Sequence, residues 1–173
     1  MNTPIRPHFS ALACFLLPLL AVSCFGAPVQ EEAPEVELPP YIAADFITPD
    51  QDVVLVESDA PVELSVETLL DPNPGHDLHF VFIGERSGVI EQATASRKPT
   101  SDLYRDLFYQ FDRAEITVDP CSERLRDHDD ELIRLYVTDR PFERLSDGGV
   151  DVSDDAFLVS HRWLLRFREQ LCA

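Results

Sequence analysis

Residues 62–67 read Val-Glu-Leu-Ser-Val-Glu, an alternation of apolar and polar residues without an exception. Side chains of a β-strand alternate between two faces, so this period puts Val62, Leu64 and Val66 on one buried face. No other stretch of the chain has so clean a strand pattern. The sequence therefore predicts a β-rich fold that extends outward from this segment.

Turn-forming residues separate this strand from the next. Residues 71–75 are Asp-Pro-Asn-Pro-Gly, a run that breaks regular structure. After this loop, Leu78, Phe80 and Phe82 share one face of a second strand at 78–83. Further strands are predicted at Val89-Ile90, Ile116-Thr117-Val118, Ile133-Arg134-Leu135-Tyr136-Val137 and Val159–Arg168.

The last of these strands is long and two-sided. One of its faces carries Val159, His161, Trp163, Leu165 and Phe167, and the other carries Arg162, Arg166 and Arg168. Arginine on the outer face of an acidic domain is expected to be solvated and paired with neighbouring carboxylates.

One segment has a helical period instead. Leu103, Leu107 and Phe111 recur at i, i+4 and i+8, and Ser101-Asp102 can cap the start. A second helical turn is expected at Asp119-Pro120. About seven short strands and one short helix predict an all-β domain, an immunoglobulin-like antiparallel β-sandwich.

The N-terminus has the organisation of an export signal. Arg6 supplies positive charge, and residues 9–22 carry no charged side chain. This run is shorter than the roughly 20 apolar residues of a membrane-spanning helix, and Pro18 interrupts it. We therefore expect an exported protein.

The end of that signal has a recognisable pattern. Residues 20–24, Leu-Ala-Val-Ser-Cys, resemble the lipobox of bacterial lipoprotein precursors. The resemblance implies cleavage of a 1–23 signal peptide and lipidation of Cys24. With Phe25 as the next residue, it also implies sorting to the outer membrane, so the expected location is the cell envelope. Ordinary signal removal after Ser23 and an uncleaved N-terminal anchor are the alternatives.

Residues 24–44 are rich in proline and glutamate and have neither a helical nor a strand period. Such a composition predicts an extended, disordered tether between the lipid and the domain. The folded domain is expected at 45–173, which is an ordinary size for one hydrophobic core.

The net charge narrows the range of partners. It is −18 for the whole chain, and loss of Arg6 with the signal leaves −19. So acidic a surface makes nucleic acid an unsuitable partner and would be repelled by anionic lipid headgroups. Membrane attachment is therefore expected through acyl chains, and a protein of the envelope is the expected partner.

The four cysteines divide by position. Cys14 leaves with the signal and Cys24 carries lipid, so Cys121 and Cys172 are the pair that stays in an exported domain. Exported thiols tend to oxidise, and we expect these two to form a disulfide. Two buried or free thiols are the alternative.

A second resemblance concerns the last third of the chain. Residues 137–142, Val-Thr-Asp-Arg-Pro-Phe, precede an acidic loop with glycine and the Trp163 strand. This arrangement is similar to Ig-like domains of uncharacterised lipoproteins from Gram-negative bacteria. The resemblance carries no catalytic residues to this chain.

Three groups of residues are candidate sites. His76 and His79 have H-x-x-H spacing, but a turn and a strand do not present them as a helix would, so loop and surface histidines are expected rather than a zinc site. Ser160 and His161 are adjacent on a strand, point to opposite faces and form no dyad. Two acidic clusters lack the EF-hand spacing and are expected to be solvated rather than calcium-binding: Asp127-Asp129-Asp130-Glu131 and Asp147-Asp151-Asp154-Asp155.

The sequence contains no G-x-S-x-G, P-loop or dinucleotide-binding motif. We therefore predict no catalytic residues, no metal site and no cofactor. The expected function is that of a lipid-anchored envelope protein whose domain is a non-catalytic binding or structural module. The alternative is an exported or anchored, hydrolase-like enzyme.

Overall fold

The computed structural model describes residues 37–99, 107–144, 149–169 and 171–172. The predicted signal peptide, the lipidation site at Cys24 and most of the tether lie outside the described residues. In the part of the chain that is described, no helix is long and apolar enough to cross a membrane.

Short strands dominate the described ranges, which contain twelve of them and one short 3-10 helix. In chain order these elements are the 3-10 helix Ala44–Phe46, β1 (Ile47–Thr48), β2 (Val53–Val56), β3 (Val62–Val66), β4 (Leu69–Asp71), β5 (Leu78–Gly84), β6 (Gly88–Ala95), β7 (Tyr109–Phe111), β8 (Ala114–Val118), β9 (Asp130–Thr138), β10 (Glu143–Arg144), β11 (Val150–Asp151) and β12 (Leu158–Phe167). The all-β prediction is confirmed.

The strands are arranged in two main sheets. The larger has the order β2-β12-β9-β5-β6, and the smaller has the order β1-β3-β8. Two further pairs, β4-β7 and β10-β11, stand apart from them in the hydrogen-bond pattern. The described pairs are antiparallel, as predicted, except that β12 and β2 run parallel.

Both sheets contribute to a single hydrophobic core. Leu64 and Val66 of β3 belong to it together with Phe82 of β5 and Trp163 of β12, and all four are fully buried. The indole nitrogen of Trp163 donates a hydrogen bond to the carbonyl of Pro49 at 3.0 Å, which satisfies the one polar atom of that side chain. The inward faces predicted from the alternating patterns are therefore confirmed for these strands.

The helix prediction is wrong where it can be checked. Residues 101–106 lie outside the described residues, but Tyr109–Phe111 is strand β7, which pairs with β4. Phe111 lies opposite Leu69 and is fully buried. The i, i+4 spacing of apolar residues is a weak local preference, and the strand pairing and burial override it.

The second predicted helical turn does not extend into a helix, although the amide of Ser122 donates a hydrogen bond to the carbonyl of Asp119 at 3.2 Å. The side chain of Asp119 accepts a hydrogen bond from the amide of Cys121 at 2.9 Å, as a helix cap would. Residues 120–127 nevertheless form a succession of turns and no helix. Asx-turns of this kind compete with helix formation because the side chain replaces a backbone partner.

The folded part extends to the N-terminal side of residue 45. Tyr41 and Leu70 exchange backbone hydrogen bonds of 2.8 and 3.2 Å, and Pro40 and Ala43 are buried. On composition, these residues are predicted to belong to the tether. The proline-rich and polar composition is typical of a linker, but the isolated β-bridge between Tyr41 and Leu70 of β4 fixes this segment to the domain.

Cys121 and Cys172 lie at disulfide distance, with their Cα atoms 5.4 Å apart. The structure thus brings together the two cysteines that the sequence analysis paired. Their sequence separation is 51 residues. A disulfide that closes so long a loop restricts the unfolded chain, and this loss of chain entropy stabilises the folded state by about 4 kcal/mol.

A buried carboxylate holds the β5–β6 turn. Glu131, in β9, is fully buried and accepts hydrogen bonds from the amides of Arg86 at 3.2 Å and Ser87 at 3.1 Å. Gly84 packs so closely against it that a Cβ atom there would collide with the carboxylate. The turn then closes through Gly88, whose φ of 73° favours glycine.

We expect Glu131→Ala to lower the free energy of unfolding by about 2 kcal/mol, because the backbone amides of Arg86 and Ser87 lose the buried carboxylate that accepts their hydrogen bonds. Denaturant titration of the purified protein measures this loss. The control is Glu115→Ala, which removes an exposed carboxylate paired with Arg113 at 2.8 Å. Such surface pairs contribute about 0.5 kcal/mol or less. Equal losses in the two variants would contradict the role given to Glu131.

Candidate functional site

Three acidic side chains surround one histidine beside the larger sheet. Asp71 is the last residue of β4, His76 lies in the loop before β5, and Asp139 follows β9 directly. The Nδ1 atom of His76 is 3.3 Å from Oδ2 of Asp71 and 3.9 Å from Oδ2 of Asp139, and its Nε2 atom is 3.8 Å from Oε1 of Glu37. We call these four residues the histidine–carboxylate cluster.

The cluster is unusual in its burial. The side chains of Asp71 and Asp139 are 0% and 1% exposed, and that of His76 is 16% exposed. The two Oδ2 atoms and Nδ1 of His76 are buried and have no hydrogen-bond partner. Nδ1 of His76 and Oδ2 of Asp71 lie 3.3 Å apart, so these two side chains interact electrostatically. Buried polar atoms are normally hydrogen-bonded, so three such atoms together make this cluster a candidate site.

Each buried aspartate is fixed through its other oxygen. Oδ1 of Asp71 accepts hydrogen bonds from the backbone amide of Asn73 at 2.7 Å and from its side-chain amide at 2.8 Å. Oδ1 of Asp139 accepts one from the amide of Phe157 at 2.9 Å. Asn73, one of the turn-forming residues of the 71–75 loop, therefore also orients the carboxylate of Asp71.

Asn73 also positions the fourth member of the cluster. Its side-chain amide exchanges hydrogen bonds with the backbone of Leu38, as a donor at 2.6 Å and as an acceptor at 3.2 Å. Leu38 follows Glu37 directly, so this contact holds Glu37 next to the loop. The carboxylate of Glu37 is about half exposed and forms the solvent side of the cluster.

The electrostatics of the cluster are governed by burial. Loss of solvent raises the pKa of Asp71, and the hydrogen bonds from Asn73 and the nearby charge of His76 act in the opposite direction. The guanidinium of Arg140 approaches Oδ2 of Asp139 at 4.0 Å through an Nε atom that is itself buried without a hydrogen-bond partner. Three carboxylates thus face one histidine and one arginine.

The H-x-x-H pair is split by the fold. His79 projects from β5, and its Nδ1 atom lies 2.9 Å from the hydroxyl of Thr94 on the neighbouring strand. Burial lowers the pKa of His79. His76 is a loop histidine, as expected, but its side chain belongs to a largely buried group. Ligand atoms of Glu37, His76 and Asp139 lie within 4.8 Å of one another.

The first acidic cluster is not a single surface patch. Asp127 and Asp129 are exposed, as expected of solvated residues. Asp130 pairs with Arg86 at 2.8 Å, and Glu131 holds the β5–β6 turn. These four acidic residues are neighbours in sequence, but they have different structural roles.

The second acidic cluster contributes mainly local contacts. Asp147 lies outside the described residues, and Asp154 is exposed. Asp151 accepts a hydrogen bond from the amide of Val152 at 2.9 Å. Asp155 accepts one from the hydroxyl of Ser153 at 2.6 Å, which lowers its pKa.

Ser160 and His161 lie side by side on β12 and face opposite ways. Ser160 is exposed, whereas the ring of His161 packs edge-on against Trp163 with ring centres 4.4 Å apart. The Nε2 atom of His161 is buried without a hydrogen-bond partner. Burial lowers the pKa of His161, against a smaller opposing effect of Asp52.

The outer face of the larger sheet carries arginines that form no ion pair with any of the described residues. Arg134 of β9 lies directly opposite Arg162 of β12, and Arg166 lies on the same face. All three are exposed, and the ion pairs seen among the described residues join other arginines to carboxylates. The expected pairing of the β12 arginines with neighbouring acids is therefore not found in the described part of the chain. We call these three residues the outer arginine face.

No protein-family model matches this sequence, and a search of curated proteins gave no match either.

We expect His161→Gln to reduce the loss of stability on acidification. Since the pKa of folded His161 lies below the ordinary 6.5, the unfolded chain takes up the proton first as the pH falls, and stability present above about pH 6.5 is lost below it. Melting temperatures between about pH 7.5 and pH 5.5 measure the slope. The exposed His128→Gln is the control, and equal slopes in both variants would contradict this role for His161.

Proposed function

We propose that the chain is a lipid-anchored protein of the cell envelope, whose β-domain is a non-catalytic binding or structural module. The lipobox-like residues 20–24 support cleavage before Cys24 and attachment through acyl chains, with the outer membrane as location. The proline- and glutamate-rich segment that follows would keep the domain away from the membrane surface.

The disulfide-distance pair supports export independently of the signal. Cys121 and Cys172 are far apart in sequence and adjacent in the fold. Disulfides persist in oxidising compartments such as the periplasm and the cell surface, and are rare in the cytosol. Two features at opposite ends of the chain thus favour the same compartment.

For the fold we propose an immunoglobulin-like sandwich. This proposal is supported by two mainly antiparallel sheets that share one core, and by the buried Trp163 in the last strand. Sandwiches of this type commonly act as binding modules.

The outer arginine face is the observation that carries the binding function. Arg134 and Arg162 are like charges directly opposite each other, an arrangement that costs stability. Beside Arg166 in the register lies Leu55, which is 69% exposed. An exposed combination of arginine and leucine, on a chain of net charge −18, fits a protein partner with acidic and apolar groups.

Lipidation is tested at Cys24. We expect the mature wild-type protein to partition into detergent and to carry acyl mass, and Cys24→Ser to accumulate as uncut precursor. The control is Cys14→Ser, which changes a cysteine of the signal and should leave processing intact. Mass spectrometry of the membrane-extracted protein decides, because a wild-type N-terminal peptide containing Ala21 would refute cleavage before Cys24.

Binding is tested on the outer arginine face. We expect the double variant Arg134→Gln, Arg162→Gln to recover its acidic partner at least about fivefold less in crosslinking from envelopes, because a desolvated charge contact contributes about 1 kcal/mol or more. Arg113→Gln, which removes an arginine already paired with Glu115, is the control. Unchanged recovery in the double variant would exclude this face as the binding surface.

An activity assay on the same purified protein distinguishes the enzyme alternative from the binding module. The contact of Thr94 with His79 at 2.9 Å, beside a surface cavity lined also by Phe142, is the feature that favours a hydrolase. Turnover in a hydrolase screen that is lost in His79→Ala would support the enzyme over the binding module.

A further inference from the structure

We propose that the outer face of the larger sheet binds a small phosphate monoester that carries hydroxyl groups, of the sugar or polyol phosphate class. Arg134 and Arg162 hold the phosphate, and the hydroxyls of Tyr136 and Ser160 donate hydrogen bonds to it. The site goes beyond the proposed function, because a small ligand needs neither the lipid anchor nor a protein partner. It shares two residues with the outer arginine face, so its test uses purified protein alone.

The four side chains form a two-by-two block. In the register of β9 with β12, Arg134 lies opposite Arg162, and Tyr136 lies opposite Ser160. Residues two apart on a strand share a face, so the four side chains lie on the same side of the sheet. Cross-strand neighbours on one face have Cβ atoms about 5 Å apart, which lets their polar groups converge on one small ligand.

A surface cavity of about 440 Å³ lies over this block. Pockets for small ligands have volumes of about 300–1,000 Å³, so the space suits a phosphorylated polyol or sugar. We call it the outer-face cavity. Its lining residues are Asp52, Arg134, Tyr136, Ser160, His161 and Arg162.

The donors of the block have no partner among the described residues. The side chains of Arg134 and Arg162 make neither an ion pair nor a hydrogen bond with that part of the chain, and the hydroxyls of Tyr136 and Ser160 make no hydrogen bond with it. Both arginines and Ser160 are exposed. Their hydrogen-bonding capacity is therefore available to a ligand.

The arginine pair selects a ligand with two negative charges. Like charges directly opposite each other on neighbouring strands destabilise a sheet, and a dianion between Arg134 and Arg162 removes this cost. A phosphate monoester carries about 1.5 to 2 negative charges at neutral pH and three acceptor oxygens. A carboxylate carries a single charge and would leave one guanidinium uncompensated. The planar donor pairs of arginine also match the geometry of phosphate oxygens.

Asp52 determines which phosphates fit. Its exposed carboxylate lines the same cavity and repels a second negative charge. The same carboxylate accepts hydrogen bonds from hydroxyl groups. A ligand that places hydroxyl groups beside its phosphate compensates for this repulsion, so the cavity favours a polyol or sugar phosphate over inorganic phosphate.

The surrounding charge favours a small ligand over a polymeric one. The chain has a net charge of −18, which repels an extended polyanion or an anionic membrane surface. A small ligand in the cavity responds mainly to the two nearby guanidinium groups, because salt screens charges beyond about 8 Å at physiological ionic strength. The competing arrangement is a pair of solvated arginines that binds no ligand.

The test is a calorimetric titration of the purified mature protein at about 0.15 M sodium chloride. Glycerol phosphate, inorganic phosphate, glycerol and a phosphoserine peptide are added separately. We expect one glycerol phosphate per chain with a dissociation constant below about 1 mM, and no binding of glycerol. Inorganic phosphate should bind about fivefold more weakly, because it lacks the hydrogen bond to Asp52. Absence of saturation with glycerol phosphate, or tighter binding of the peptide, would overturn the proposal.

Variants identify the phosphate contacts. Arg134→Gln and Arg162→Gln should each weaken binding of glycerol phosphate at least about tenfold, because each removes charge-assisted hydrogen bonds. Arg166→Gln is the matched control, since this exposed arginine lies on the same strand and face as Arg162 but does not line the cavity. Unchanged binding in the first two variants, or an equal loss in the control, would refute the site.

Asp52→Ala separates the two parts of the ligand. Loss of the repulsion should strengthen binding of inorganic phosphate, and the preference for glycerol phosphate should fall from about fivefold to nearly none. A preference that stays unchanged would contradict the role of Asp52. Failure of the phosphate titrations, combined with the expected loss of partner recovery in Arg134→Gln, Arg162→Gln, would refute this cavity as a phosphate site and leave the proposed binding surface in place.

Discussion

The pairing of β9 with β12 is the interaction on which the rest of the structure depends. Nine residue pairs join the two strands, from Leu158 opposite Thr138 to Arg166 opposite Asp130. This pairing buries Trp163 in the core and presents the outer arginine face to solvent. It also connects the two outer parts of the larger sheet, because β2 pairs with β12 and β5 pairs with β9. Loss of this register would displace both the hydrophobic core and the histidine–carboxylate cluster.

Buried acids at the two ends of β9 show how one strand serves two purposes. Glu131, near its start, has both carboxylate oxygens engaged by the amides of a turn. Asp139, just past its end, has one oxygen bound by a backbone amide and the other without a hydrogen bond. Burial is equally complete at both residues. The difference lies in the donors within reach, since those around Glu131 occupy both of its oxygens and those around Asp139 occupy only one.

The strands could be predicted from the sequence wherever burial is one-sided, as in Val62–Val66 and in the Trp163 strand, because an alternating pattern follows directly from the pleat. Prediction failed at Tyr109–Phe111, since the apolar spacing there suits a helix while the pairing with β4 comes from residues about 40 positions earlier. For the candidate site, only the histidine could be noticed. Its partners Glu37 and Asp139 are distant in sequence, and no local spacing reveals which acidic residues of so acidic a chain become buried.

The parallel contact of β2 with β12 has a consequence for the order of folding. β2 is made early, but its partner in the larger sheet is separated from it by about a hundred residues. A chain that emerges with its N-terminus first therefore cannot complete this sheet until nearly all of the domain has emerged. Under the export proposed above, this architecture would postpone closure of the sheet until translocation is almost finished.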